Sequence, residues 1–379
     1  MPFFEIKKQD ESSRARMGIL RTGHGDIHTP AFLPQAVTIL TRVINPRELS
    51  FWGAEAAFVS TYHLVAKLSE KIISKSGGLH AFLGCLGPLF SDSGAPCARG
   101  FGTLGIDLNP KNITVTGKGI AYQAGDNRQI KTITPESSIE SQIGFGSDIV
   151  QYLHFMPSSS SAIKNKIWRR VTADWGKRAR RSFEKTIRGR PEPEIPKVFG
   201  CVSPVLSEKD LRTQVLDLVA LNVDGCSVRL SEKISVKSLK SSINKISSVL
   251  PPNLPLHISG LSQAWQFAAA IAQGADLFDS LSPNEFAFRG ELFLTKSGSR
   301  KGHVLDIKKA VYKKDVAPID SACDCYYCLR HSRSELHALF AEGDSAGFRF
   351  ASMHNLRFIL NRFAQIRRAI EYGSFSEFF

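Results

Sequence analysis

Short apolar, β-branched runs recur along the chain, separated by stretches of a different period. The runs are "TPAFLPQA" (29–36), "AAFVSTYHLV" (56–65), "GPLFSDSG" (87–94), "SDIVQYLHF" (147–155), "KVFGCVS" (197–203), "GCSVRL" (225–230), "LHISGL" (256–261) and "DLFDSLSP" (276–283). Short apolar runs bounded by turn residues predict buried strands. Between several of them the apolar spacing becomes helical, as in "SEKDLRTQVLDLVALN" (207–222) and "LSQAWQFAAAIAQG" (261–274). The second of these ends on Gly274, a helix-stop signal, just before the next strand. Eight apolar strands alternating with helices predict an α/β fold, a parallel (β/α)8 TIM-type barrel. A doubly wound open sheet is the alternative.

The stretch 103–135 breaks this alternation. It reads as a β-hairpin insertion after the third strand, with turns at Asn109-Pro110 and at Gly117 to Gly119. Pro157 and the run Ser158 to Ser161 read as a short flexible loop. From about residue 300 a cysteine cluster and a basic helix replace the alternating pattern. The expected organisation is a barrel domain over 1–300 and a zinc-binding, basic helical region over 301–379 packed on it.

Composition agrees with a globular chain: 379 residues, 42% hydrophobic and 22% charged, enough for one large domain with an appendage. No apolar run approaches the roughly 20 residues that cross a bilayer, so no membrane partner is expected. The opening "MPFFEIKKQDESSRAR" lacks the layout of an export signal. A cytoplasmic location follows as the expectation, with reduced thiols, and the odd count of seven cysteines then favours metal and free thiols over disulfides.

Charge changes the picture more. The formal net charge is +14 and it is unevenly spread. Residues 164–190 carry eleven Lys or Arg against Asp174 and Glu184. A second basic stretch holds Arg349, Arg357, Arg362, Arg367 and Arg368. A solvated face is one reading of such runs. Their interleaving with Trp168, Trp175 and Phe residues favours a nucleic acid, whose phosphates the cations neutralise and whose bases the rings stack on.

In a parallel barrel the C-terminal strand ends converge on one mouth, where active sites are built. Here the second strand ends in Tyr62-His63, the third in Asp92-Ser93-Gly94, the fourth in His154 and the eighth in Asp279-Ser280. Two carboxylates from different strands facing one cavity are the minimal apparatus of glycosyl chemistry: one attacks the anomeric carbon, the other moves protons. Helix capping or pairing with an arginine is the bland alternative for either Asp. Near the C-terminus, "CDCYYC" offers the thiolates of Cys323, Cys325 and Cys328, and His354 supplies an imidazole from a later helix. Cys3His is a closed tetrahedral set that suits a structural zinc ion. His331 and His337 are rival fourth ligands. Cys85, Cys201 and Cys226 read as ordinary buried cysteines, whereas Cys97 lies beside the Asp92 turn.

Taken in order, "RMGIL…GHGDIHTP" (16–30), "TYHL" (61–64), "GGLH" (77–80), "SDSG" (91–94), "PESSIESQIGFGSDI" (135–149), "FGCV" (199–202), "GADLFDS" (274–280), "CDCYYC" (323–328), "SRSELHALF" (332–340) and "HNL" (354–356) resemble the tRNA-guanine transglycosylase family of zinc-containing barrel enzymes. The resemblance spans nearly the whole chain. It implies queuosine-type base exchange at the tRNA wobble position. Asp279 would attack C1′ of the guanosine ribose, Asp92 would give and take the proton, and a 7-deazaguanine would replace guanine. It also places Ser93, Gly94, His154, Ser203, Arg229 and Gly260 around the base. Arg169, Arg170, Lys177, Arg178, Asn284 and Arg289 fall on the RNA side. Partners implied are tRNA, guanine or a 7-deazaguanine-type base, and a second subunit in a homodimer or heterodimer.

Departures from the family pattern cluster in the base pocket. After the D-S-G motif the run is Ala95-Pro96-Cys97, where a glycine, a stacking aromatic residue and a glutamine are usual. His154 stands where a base-reading Asp is normal, Ser203 where a glutamine is, Val228-Arg229 near a glycine pair, "NEFAF" (284–288) in the anticodon-reading segment, and Ser60 in place of an Asn. Three readings follow: a transglycosylase with altered base specificity, a non-catalytic tRNA-binding or partner subunit, and a barrel enzyme acting on an unrelated small substrate.

Overall fold

The computed structural model describes residues 1–36, 44–67, 70–95, 111–123, 130–155, 162–231, 233–295 and 303–378. Its central sheet has eight parallel strands: Ala31–Pro34, Ala57–Val59, Leu89–Ser91, Ile149–Gln151, Lys197–Cys201, Gly225–Arg229, Leu256–Ser259 and Leu277–Ser280. Each lies inside one of the eight apolar runs. The first strand pairs with the eighth, Leu33 opposite Asp279, and a parallel bridge from Gln35 to Phe58 joins it to the second. That bridge closes the ring, so the fold is the barrel and not the open sheet.

Alternation along the strands sorts the barrel interior by height. Low in the barrel, Leu33, Phe58, Phe90, Ile149, Phe199 and Leu277 form one apolar cluster. Phe4, Leu20 and Ile27 join it from an antiparallel sheet of Phe4–Gln9, Arg16–Thr22 and Gly25–Thr29, which floors the barrel. Moving two residues along a strand returns to the same face. Gln35, Ser60, Asp92 and Asp279 each stand two places beyond one of these apolar residues, at the C-terminal rim. The floor is clamped by Arg16, whose guanidinium makes two 2.8 Å hydrogen bonds to the fully buried Asp276. It donates two more to the carbonyls of Pro252 and Leu254, which satisfies the charges that burial would otherwise penalise.

Four features differ from the sequence pattern. The floor sheet is not foreseen by it. The 56–65 run is strand only to Val59, after which Thr61–Lys67 is helical. An Asp92 carboxylate oxygen accepts the Thr61 N–H at 2.8 Å, capping a helix start whose first amides lack partners of their own. Tyr62 and His63 therefore sit in a first helical turn instead of at a strand end. Likewise the fourth strand stops at Gln151, which leaves His154 in the loop beyond it. The insertion holds three antiparallel strands, Lys111–Val115, Ile120–Gln123 and Ile130–Ile133, with a turn from Thr116 to Gly119 as expected. Residues 103–110, the Asn109-Pro110 turn, Cys97 and the loop Pro157 to Ser161 lie outside the described residues.

The last long helix, Ser345–Tyr372, completes the helical layer. Its Phe363 ring lies 5.8, 5.5 and 5.3 Å from the rings of Phe32, Phe267 and Phe278, over the first and eighth strands. Among the described residues no helix is long and apolar enough to cross a membrane.

Candidate active site at the barrel rim

Asp279 ends the inward row of the eighth strand and is buried. Gln35, reaching from the first strand, donates its amide to Asp279 Oδ2 at 2.7 Å. The other oxygen, Oδ1, lies 3.0 Å from His257 Nε2, a contact within ion-pair range but not aligned as a hydrogen bond. Asp92 ends the inward row of the third strand. Its Oδ1 accepts the backbone N–H groups of Thr61 (2.8 Å) and Gly94 (2.9 Å). Burial pushes its carboxyl up from 3.8 to about 6, against the pull of those hydrogen bonds and one from Ser60; the charge of Asp279 adds to the rise. The two carboxylates thus sense each other at one mouth, Asp279 bonded at Oδ2 alone with Oδ1 beside His257, and Asp92 with a pKa raised to about 6.

Around them stand polar groups that have no partner among the described residues. His154 is half-buried, both ring nitrogens are shielded and unbonded, and burial lowers its pKa to about 4, so the ring is neutral at pH 7. The Ser203 hydroxyl at the end of the fifth strand is likewise buried and unbonded, while its backbone N–H is held by Gln214 at 3.0 Å. Buried polar groups seldom stay unpaired, so these donors and acceptors suit a ligand. Ser93 is buried, with its carbonyl taken by Ser138. Arg229 is exposed at the end of the sixth strand and forms no ion pair among the described residues. Gly260 follows the seventh strand at φ +90°, and a Cβ there would meet the Leu230 carbonyl oxygen at 2.3 Å. Only glycine fits that turn. The Cys201 and Cys226 thiols are buried and pushed up by burial, the latter to about 12, which leaves them unreactive.

The residues carried to the RNA side divide. Arg170 and Lys177, on the helix Ala162–Thr186, are exposed and make no ion pair among the described residues. Arg169 instead approaches Asp210 and Asp217 at 3.8 and 3.7 Å. Arg178 binds both oxygens of Glu136 at 2.7 Å and the Gly117 carbonyl at 2.6 Å, fastening the insertion to the helix. Arg289 pairs with Glu291 at 2.7 Å and lies over the Phe286 ring. Asn284 is buried, so its side chain presents nothing to a polyanion in this conformation.

Away from the rim, Cys323, Cys325, Cys328 and His354 bring four ligand atoms within 4.8 Å of one another. His354 Nδ1 lies 3.3 Å from Cys328 Sγ and 3.7 Å from Cys325 Sγ. Its Nε2 is 2.7 Å from the Phe293 carbonyl. That bond puts the proton on Nε2 and frees Nδ1 as a ligand, the usual second support of a metal-bound imidazole. Both rivals are occupied elsewhere, His331 with Glu335 at 3.4 Å and His337 with the Ile307 carbonyl at 2.8 Å. These four residues can hold a metal ion. Cys325→Ser is expected to release one equivalent of bound metal to a chromogenic chelator and to lower the melting temperature by roughly 5 °C. Unchanged metal content would remove Cys325 from the ligand set.

Gln35 and His257, both against Asp279, are not singled out by the sequence pattern. A signal for His257 is present: an imidazole between the apolar residues Leu256 and Ile258 of a buried strand, on the opposite face from them. Gln35 lies just past the first strand, and nothing local marks it.

The class these features define is the parallel (β/α)8 barrel with paired rim carboxylates and a C-terminal thiolate–imidazole clamp. The model of the family described as queuine tRNA-ribosyltransferase matches residues 10–379. A queuine tRNA-ribosyltransferase of Methylacidiphilum infernorum is 29% identical over 380 residues, covering 99% of this chain and 97% of that protein. Those of Listeria innocua and Desulfosudis oleivorans are both 31% identical, each covering 99% of this chain and 94% of the relative. The chain belongs to the queuine tRNA-ribosyltransferase family.

Proposed function

We propose that the protein is an active transglycosylase that exchanges a base at the wobble position of tRNA. The observation that carries this reading is the carboxylate pair, Asp279 bonded through Oδ2 to Gln35 with Oδ1 left unpaired, and Asp92 raised to about 6 across the same mouth. An Asp279 oxygen bonds to C1′ of the ribose as the C1′–N9 bond breaks. Protonated Asp92 gives its proton to the leaving guanine. A 7-deazaguanine-type base then yields its own proton to the Asp92 carboxylate, bonds to C1′ and frees Asp279. Two displacements retain the sugar's configuration. A pKa near 6 suits a group that must both give and take a proton. A subunit that only binds tRNA has no use for a carboxyl held at that cost.

His154 and Ser203 read the incoming base with neutral groups in place of a carboxylate and an amide. The Cys3His set, closed to water, holds a structural zinc ion that fixes the helices of the C-terminal region. The exposed cations of the helix Ala162–Thr186 contact RNA. The double variant R170E/K177E is expected to bind tRNA about tenfold more weakly at low salt, with the slope of log K against log salt reduced by about 2. An unchanged slope places the RNA elsewhere. The reading as a whole is tested by incubating the protein with bulk tRNA and labelled guanine. Incorporation dependent on Asp279 supports it, and failure with guanine and with every 7-deazaguanine offered overturns it.

A further inference from the structure

The exchange chemistry above leaves unused a titratable side chain in the barrel's centre. His257, on the seventh strand, is 1% exposed. Its ring sits against Phe58 and Phe90, with centroids 5.5 and 4.7 Å away. Its Nδ1 lies 3.1 Å from Ser227 Oγ on the sixth strand. The facing groups are therefore two rings, one hydroxyl and Asp279, with Asp92 across the mouth.

The tautomer follows from this arrangement. A ring-nitrogen lone pair aimed at a carboxylate oxygen 3.0 Å away would be repelled, so Nε2 carries hydrogen. In a neutral ring Nδ1 is then the acceptor, and the Ser227 hydroxyl donates to it. Yet among the described residues neither Nε2 nor Asp279 Oδ1 completes a hydrogen bond. An unpaired buried donor beside an unpaired buried acceptor is an unfavourable arrangement that a small turn of the carboxylate removes. Catalytic hydrogen bonds often align only in the reacting complex.

We infer that His257 is a positioning residue for Asp279, an inference resting on Asp279 as the nucleophile. As the carboxylate turns to attack C1′, His257 donates Nε2–H to Oδ1 while Gln35 holds Oδ2. When the ester breaks in the second displacement, the same N–H receives the returning negative charge. His257 neither gains nor loses a proton, and Ser227 keeps the ring in the tautomer that has the N–H on the correct side.

The test compares H257F, H257Q, S227A and D279N by single-turnover formation of the covalent protein–RNA species, with melting temperatures recorded alongside. H257F is expected to slow adduct formation about 10–100-fold while KM for tRNA stays within about twofold, because the lost contact acts on the reacting oxygen and not on RNA binding. The H257Q side-chain amide can present an N–H near the same place and is expected to recover the rate to within about fivefold; S227A slows it about threefold. A folded H257F with the wild-type rate overturns the inference, as does an H257Q no faster than H257F, which reduces the ring to a space-filler. Should H257F not fold, the H257Q and S227A rates decide: wild-type behaviour in S227A together with a fully slow H257Q overturns it. An adduct formed by D279N strikes the nucleophile assignment itself. A silent D279N beside a fast H257F strikes only the role of His257.

Discussion

D279N is expected to incorporate no labelled base into tRNA and to form no protein–RNA species that survives denaturing electrophoresis, a loss of at least about 10³-fold. The substitution keeps the side chain's shape, and the remaining amide oxygen can still accept from Gln35, so the barrel should melt at nearly the wild-type temperature. What disappears is the anionic oxygen that the proposed reaction joins to C1′. An amide at this position leaves the ribose without an acceptor for its anomeric carbon, and Asp92 then has no departing base to protonate. Covalent trapping by D279N at even a hundredth of the wild-type yield would move the nucleophile to another residue.

The second large effect separates activity from stability. D92N is expected to lose base exchange by about 10²–10⁴-fold, since a carboxamide neither gives nor takes the proton. The same variant should be more stable than the wild type at alkaline pH. Asp92 rises from 3.8 to about 6 on folding because burial penalises its charge. Between these values the folded protein holds a proton that the unfolded chain has released. The contribution of Asp92 is therefore full below pH 3.8 and is lost as pH rises through 6, a cost of at most about 3 kcal/mol. Asparagine keeps an oxygen for the Thr61 and Gly94 amides and carries no charge. Thermal melts should show D92N higher by roughly 1–4 °C at pH 8 and level with the wild type near pH 4. A D92N that melts lower at pH 8 would mean that the ionised carboxylate is favoured where it sits.

Much of this site was legible in the chain because each signal was local. A strand's alternation carries its apolar rows inward and upward, so Asp92 and Asp279 can be placed on the rim from "GPLFSDSG" and "DLFDSLSP" alone. The cysteine spacing in "CDCYYC" is legible in the same way, and the structure chose His354 over two histidines nearer in sequence because a helix brings it back. What stayed hidden depends on contacts between distant segments. Gln35 meets Asp279 across 244 residues of chain. Arg178 looked like a free cation until Glu136 and the insertion claimed it. Asn284 looked like an RNA reader until the helix Ser282–Phe288 turned it inward. The floor sheet escaped because short antiparallel strands with exposed faces carry few apolar positions, and their partners are other strands of the same small sheet.

That floor has a kinetic consequence. Phe4, Leu20 and Ile27 stopper the lower end, and Arg16 rivets the stopper to the start of the eighth strand. Above the stopper the interior is itself packed with Leu33, Phe58, Phe90, Ile149, Phe199 and Leu277, so among the described residues the two carboxylates are reached from the upper rim. In the proposed double displacement, with the RNA joined there through its ribose, the outgoing and incoming bases cross that same rim one after the other.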